Sequence, residues 1–83
     1  MQKPGKVYET RKVAEYLDKR KLTAQYKKAK KYLLAGSLLQ VRFKQRQPKG
    51  SGIWYFRINL QFRALSVFDD SGNLIVFKID NHQ

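Results

Sequence analysis

The chain has 83 residues, 18 Lys and Arg against 6 Asp and Glu, a formal net charge of +12 and no cysteine. That length supports one domain, residues 1 to 83, with a modest core, and the lack of cysteine excludes a disulfide framework or a thiolate metal site. So large a positive charge repels itself and calls for an anionic partner, of which nucleic acid, an anionic membrane surface and an acidic protein all qualify.

Residues 1 to 6, with Pro4 and Gly5, read as a loose leader without the apolar run of a secretion signal. The longest apolar runs, "YLLA" and "IWYF", fall far short of a membrane span of about 20 residues. A cytoplasmic protein stabilised by packing is the expectation. From Thr10 to about Lys21, the helical spacing of Val13, Tyr16 and Leu17 predicts a first helix. Leu22, Tyr26, Ala29 and Leu33 recur at intervals of four, three and four and predict a second, with Thr23 as N-cap and Gly36 just past its end.

After Gly36 the period falls to two. In "LLQVRFKQRQ", Leu39, Val41 and Phe43 alternate with Gln40, Arg42, Lys44 and Arg46, which predicts a strand with one apolar and one basic face. "PKGSG" breaks it, and "IWYFRINL" then sets Trp54, Phe56, Ile58 and Leu60 against Ile53, Tyr55, Arg57 and Asn59. After a tight bend "FRALSVFD" forms a third strand; "DDSGN" is a turn, and "LIVFKID" a fourth strand with Ile75, Phe77 and Ile79 on one side. The expected fold is α+β: two N-terminal helices packed on one face of a mainly antiparallel four-stranded sheet, the other face open.

Eleven Lys and Arg against three acids fall in residues 1 to 36, and seven against three in residues 37 to 83. The helix lysines read mostly as a solvated outer face. Arginine inside a strand is different, because it is costly unless its guanidinium reaches water or an anion. If the bend is a three-residue loop, Asn59 to Gln61, Arg57 lies directly across from Arg63; a two- or four-residue loop puts them on opposite faces. In the first case Arg57, Arg63, Tyr55 and the basic side of the first strand share the open face and make a phosphate site. Lys44, Arg46 and Lys49, with Arg42 on the same basic side, are then candidates to hold flanking phosphates, and Tyr55 to stack on a base. The bland alternative is a pair of structural arginines bound to Asp69, Asp80 or the terminal carboxylate.

His82 is the only histidine. A lone terminal histidine is usually surface, yet the last strand runs into it and delivers it toward the arginines, and an unperturbed pKa of about 6.5 suits proton transfer. No zinc site, carboxylate cluster for magnesium or calcium, P-loop, GxGxxG or GxSxG is present, so no metal or cofactor is expected.

The stretch "GIWYFRINLQFRALSVFDDSGNLIVFKIDNHQ" resembles the C-terminal half of the RelE/ParE superfamily of bacterial toxins, especially the RelE and HigB type. The matching elements are Arg57-Ile58, the aromatic-Arg pair Phe62-Arg63, the turn Asp69 to Asn73, the strand Leu74 to Ile79 and the tail Asn81-His82-Gln83. The family opens with a β-strand, for which only "KPGKVYE" is available, so that strand is expected to be short or missing. The resemblance implies a toxin of a type II toxin-antitoxin system, an mRNA endoribonuclease acting on the ribosome and silenced by an acidic antitoxin. By position it implies Arg63 as phosphate and transition-state ligand and His82 as the proton-transfer residue, with Arg57, Lys44 and Arg46 as further basic residues of the site. Two alternatives stay open: a ParE-like inhibitor of DNA gyrase, and a non-catalytic basic nucleic-acid-binding module.

Overall fold

In the computed structural model, which describes residues 3–81, the elements run β1 (Val7–Glu9), α1 (Arg11–Lys19), α2 (Thr23–Leu34), β2 (Lys44–Gln45), β3 (Ile53–Arg57), β4 (Phe62–Phe68) and β5 (Leu74–Asn81). The strands form one sheet in the order β1-β5-β4-β3-β2. It is α+β as expected, but with five strands and mixed: β1 pairs parallel with β5, and the other pairs are antiparallel. Residues 4–6 of the expected loose leader are in fact docked. Pro4 is buried, Gly5 N–H donates to the Gly72 carbonyl, and Leu74 N–H donates to the Lys6 carbonyl.

Both helix stripes become core. Val13 and Leu17 of α1 and Tyr26, Ala29 and Leu33 of α2 are buried in one cluster with Phe56, Ala64, Leu74 and Val76 of the sheet. Helical periodicity read these positions correctly because the two helices share a single buried side. At the far end of the core, Phe43 stacks on Trp54 with ring centroids 5.1 Å apart, and Phe68 meets both rings edge-on. Ser66, fully buried, donates its hydroxyl to the Trp54 carbonyl at 2.9 Å, so its burial leaves no orphan.

The helix ends show a shared device. Thr10 caps α1 by accepting the Val13 N–H, whereas Thr23 is not the N-cap of α2: Leu22 occupies that position and makes no side-chain cap bond. The reason is that Leu22 is already committed to closing α1. Its N–H donates to the Leu17 carbonyl and Lys21 N–H to that of Asp18, a Schellman arrangement with Lys21 at φ 57°. α2 ends the same way, with Ser37 N–H donating to Tyr32, Gly36 N–H to Leu33, and Gly36 at φ 85°. The same terminating motif with different residues predicts opposite outcomes. Lys21→Gly should raise stability by about 0.5–1 kcal/mol, the left-handed strain relieved less the added freedom of the unfolded chain. Gly36→Ala should cost about 1 kcal/mol, since a Cβ there meets the Lys3 Cδ only at an ordinary 3.6 Å and the penalty is backbone conformation. Urea midpoints at unchanged slope would check both.

A polar tie anchors β1 to α2. The Tyr26 hydroxyl donates to Glu9 Oε1 at 2.8 Å, and Lys30 Nζ lies 3.3 Å from the same oxygen. Burial first, then the Glu9 hydrogen bond and charge, push the Tyr26 phenol well above its ordinary 10. A raised pKa stabilises the fold fully below the unfolded value, so this contribution is whole at neutral pH and declines only as pH rises past about 10. Tyr26→Phe should cost about 1–2 kcal/mol at pH 7, because the half-buried Glu9 loses a donor, and should flatten the alkaline fall in thermal stability.

Two strand assignments change. Residues 38–42 form turns rather than a strand, closed by Gln40 N–H to Ser37, Arg42 N–H to Leu39 and Phe43 N–H to Leu38. Val41 and Phe43 do point inward, but Leu39 is 94% exposed and only Lys44–Gln45 pairs with β3. A spacing of two over four residues is met by such turns as well as by a strand. In β5 the alternation breaks at a bulge: Ser66 pairs with Val76 and Leu65 with Lys78, leaving Phe77 unpaired. Leu74, Val76 and Ile79 are therefore the buried set, not Ile75, Phe77 and Ile79.

Candidate nucleic-acid interface

The face of the sheet turned away from the helices is built in rungs that follow from the register. At one end Arg57 of β3 faces Arg63 of β4, and Arg63 faces Asp80 of β5. The next rung runs Lys44, Tyr55, Leu65, Lys78, and the third Ile53, Val67, Ile75, Tyr8. Leu65, flanked by Tyr55 and Lys78, is the buried centre, while Val67, Phe77 and Tyr8 remain 36–46% exposed. The result is an apolar and aromatic floor with cations at its edges.

The arginine pair exists because the bend is the three-residue loop. Ile58 N–H donates to the Phe62 carbonyl, and the Asn59 side chain folds over the bend, its Oδ1 accepting the N–H groups of Gln61 and Phe62 at 2.8 Å each. An asparagine can thus do what the missing glycine would have done, by bonding its own turn. The Arg63 guanidinium lies over the Tyr55 ring, 4.9 Å from its centroid. This cation–π contact orients Arg63 and occupies one of the two ring faces that Tyr55 was expected to offer to a base.

Of the acids envisaged as the alternative, neither Asp69 nor Asp80 makes an ion pair with the arginines, and the terminal carboxylate lies outside the described residues. The one ion pair among the described residues joins Lys30 to Glu9 and involves neither arginine. Asp69 is engaged in its own turn, Oδ1 accepting from Ser71 and Asn73, and these bonds, the Asn73 N–H foremost, hold its carboxyl below the ordinary range. Asp80 is opposite Arg63 in register yet makes no ion pair with it. Two guanidiniums facing each other without a counter-ion are unfavourable, and an anion between them relieves the repulsion.

The remaining candidates divide. Lys44 is exposed directly across from Tyr55, and Arg46 follows one step on, its N–H donating to the Ile53 carbonyl at 2.7 Å. Lys49 is exposed in the loop between β2 and β3. Arg42 leaves the basic row: it sits in the turn before β2 at φ 52°. His82 lies outside the described residues. Lys78, to which the sequence reading gave no role, lies on this face, across from Leu65. The available signal was its place in the alternation, opposite the side assigned to Ile75, Phe77 and Ile79.

Among the described residues no group of three or more His, Cys, Asp or Glu gathers to hold a metal, and no helix is long and apolar enough to cross a membrane. No protein-family model matches the chain. Nor does any curated protein sequence match it.

Proposed function

We propose that the open sheet face binds the sugar-phosphate backbone of RNA at Arg57 and Arg63, and that the protein is a RelE-like endoribonuclease toxin acting on translated mRNA in the cytoplasm. The observation that carries this reading is the Arg57–Arg63 rung: two planar forks side by side on an uncovered face, with no acidic ion-pair partner among the described residues. Lys44, Arg46 and Lys78 extend the positive field on either side of it, and Lys49 adds to it from the neighbouring loop. The chemistry is attack of a 2′-hydroxyl on the adjacent phosphorus. The bond to the 5′ oxygen breaks, and the products are a cyclic phosphate and a 5′-hydroxyl end. The arginines stabilise the charge that grows on the phosphoryl oxygens, and His82 serves the proton transfers. An acidic antitoxin segment laid over the same face would silence the site and stabilise the fold by mass action.

A binding module without chemistry shares the arginine rung. It is favoured by the face itself, where, among the described residues, Asp80 is the only carboxylate beside the arginines. A gyrase-poisoning relative would use the same fold and need no proton-transfer residue. Controlled expression in bacteria, with primer extension on a translated message, separates the three. Growth arrest with in-frame cleavage, lost in both Arg63→Ala and His82→Ala, supports the nuclease. Arrest with DNA damage and intact message points to gyrase, and RNA binding that is indifferent to His82→Ala, without cleavage, points to the module.

A further inference from the structure

Behind the arginine rung, α2 and the end of β3 enclose a groove of about 390 Å³. Its polar lining is Gln25, Lys28, Tyr32, Gln40, Arg57 and Asn59, and the rest of the wall is aliphatic. Two of these residues are cations and none is an acid. We propose that this groove holds one nucleobase of an RNA strand whose phosphate lies at Arg57, and so sets base preference; the inference rests on reading Arg57 as a phosphate ligand.

The size suits a small planar ligand and is at the lower end of what small-molecule sites occupy. The lining suits a base better than a bare anion. A phosphate site would be built from cations and backbone N–H groups, whereas three amides and a phenol supply the neutral donors and acceptors that match base edges. Their orientation is partly settled. Asn59 Nδ2 donates to Gln25 Oε1 at 2.6 Å, while Asn59 Oδ1 is committed to the bend, so Gln25 presents its Nε2 as a donor. The Tyr32 hydroxyl and the Gln40 amide make no side-chain hydrogen bond among the described residues, although both line the groove. Arg57 belongs to both places: it faces Arg63 across the strand pair and forms part of the groove wall. A strand crossing the sheet face can therefore turn one base over the sheet end without its phosphate leaving Arg57.

The test is a titration of the isotopically labelled full chain with the four nucleoside 5′-monophosphates and, separately, with inorganic phosphate, following the side-chain amide resonances of Gln25, Gln40 and Asn59. The nucleotides should shift these signals with affinities that differ several-fold between bases, and phosphate should not. Gln40→Ala, at an exposed turn position that does not threaten folding, should weaken the preferred nucleotide by roughly 5- to 10-fold, the loss of a base-edge hydrogen bond. Silent amides, equal shifts from phosphate, or four bases bound alike with Gln40→Ala without effect would each overturn the proposal. A chain that cleaves no message but shifts Gln40 selectively loses the nuclease and keeps the groove; one that cleaves with Gln40 silent loses the groove only.

Discussion

On the proposed nuclease function, Arg63→Ala should lower RNA cleavage by roughly 10²- to 10³-fold, the usual consequence of removing one preorganised donor from developing phosphoryl charge. The expectation follows from geometry: the residue is held by the Tyr55 ring, stands opposite Arg57, and has no acidic ion-pair partner among the described residues. Charge and shape can be separated. Arg63→Lys keeps the cation but loses the planar fork, so RNA affinity and its salt dependence should be nearly retained while turnover stays depressed. Arg63→Ala should in addition reduce the slope of log affinity against log salt by about 0.7, one phosphate on a single strand. Tyr55→Ala should act through Arg63, reducing turnover with the salt slope intact. Single-turnover rates and binding at several salt concentrations read all three variants. Wild-type cleavage by Arg63→Ala would remove the arginine rung from the chemistry.

Phe56→Ala should cost about 3–5 kcal/mol and lower the thermal midpoint by on the order of 20 °C. Phe56 is fully buried, lies across from the equally buried Ala64, and has the Tyr26 ring of α2 6.1 Å away. It is therefore where the second helix and the middle of the sheet meet, and a small neighbour such as Ala64 cannot collapse into the space left behind. Against the marginal stability of a chain this short the loss is close to the whole. Leu60→Ala and Leu39→Ala are the controls. Both side chains are at least 90% exposed, so each should change stability by no more than about 0.5 kcal/mol although the same alternating pattern marks all three positions as apolar. Denaturant unfolding at unchanged slope separates them, and a near-neutral Phe56→Ala would contradict the packing described.

The bend shows the limit of local inference most clearly. Residues 59–61 carry no glycine, and pattern alone admitted loops of two, three or four residues. Asn59 decides the matter by bonding Gln61 and Phe62, and with it whether Arg57 meets Arg63. The buried set of β5 was misassigned for a related reason: its bulge at Phe77 has no signature in its own strand and becomes visible only against the partner β4. Leu39 was misplaced because a short turn and a short strand can share a spacing of two. The groove behind Arg57 was invisible, since its wall brings together residues from α2, the turn after it and the hairpin.

What the chain determined by itself is the part written in long periods and in charge. Val13 and Leu17, then Tyr26, Ala29 and Leu33, recur at helical spacing and mark the buried stripes of α1 and α2, the switch at Gly36 marks the end of the second helix, and a net charge of +12 makes the chain strongly basic. These depend on neighbours a few positions away, and on solvent. Which side chains share the open face, which arginine faces which, and where a base-sized groove lies were decided by the tertiary structure. They depend on loop length, bulge position and strand pairing, where a shift of one residue turns every later side chain to the other face.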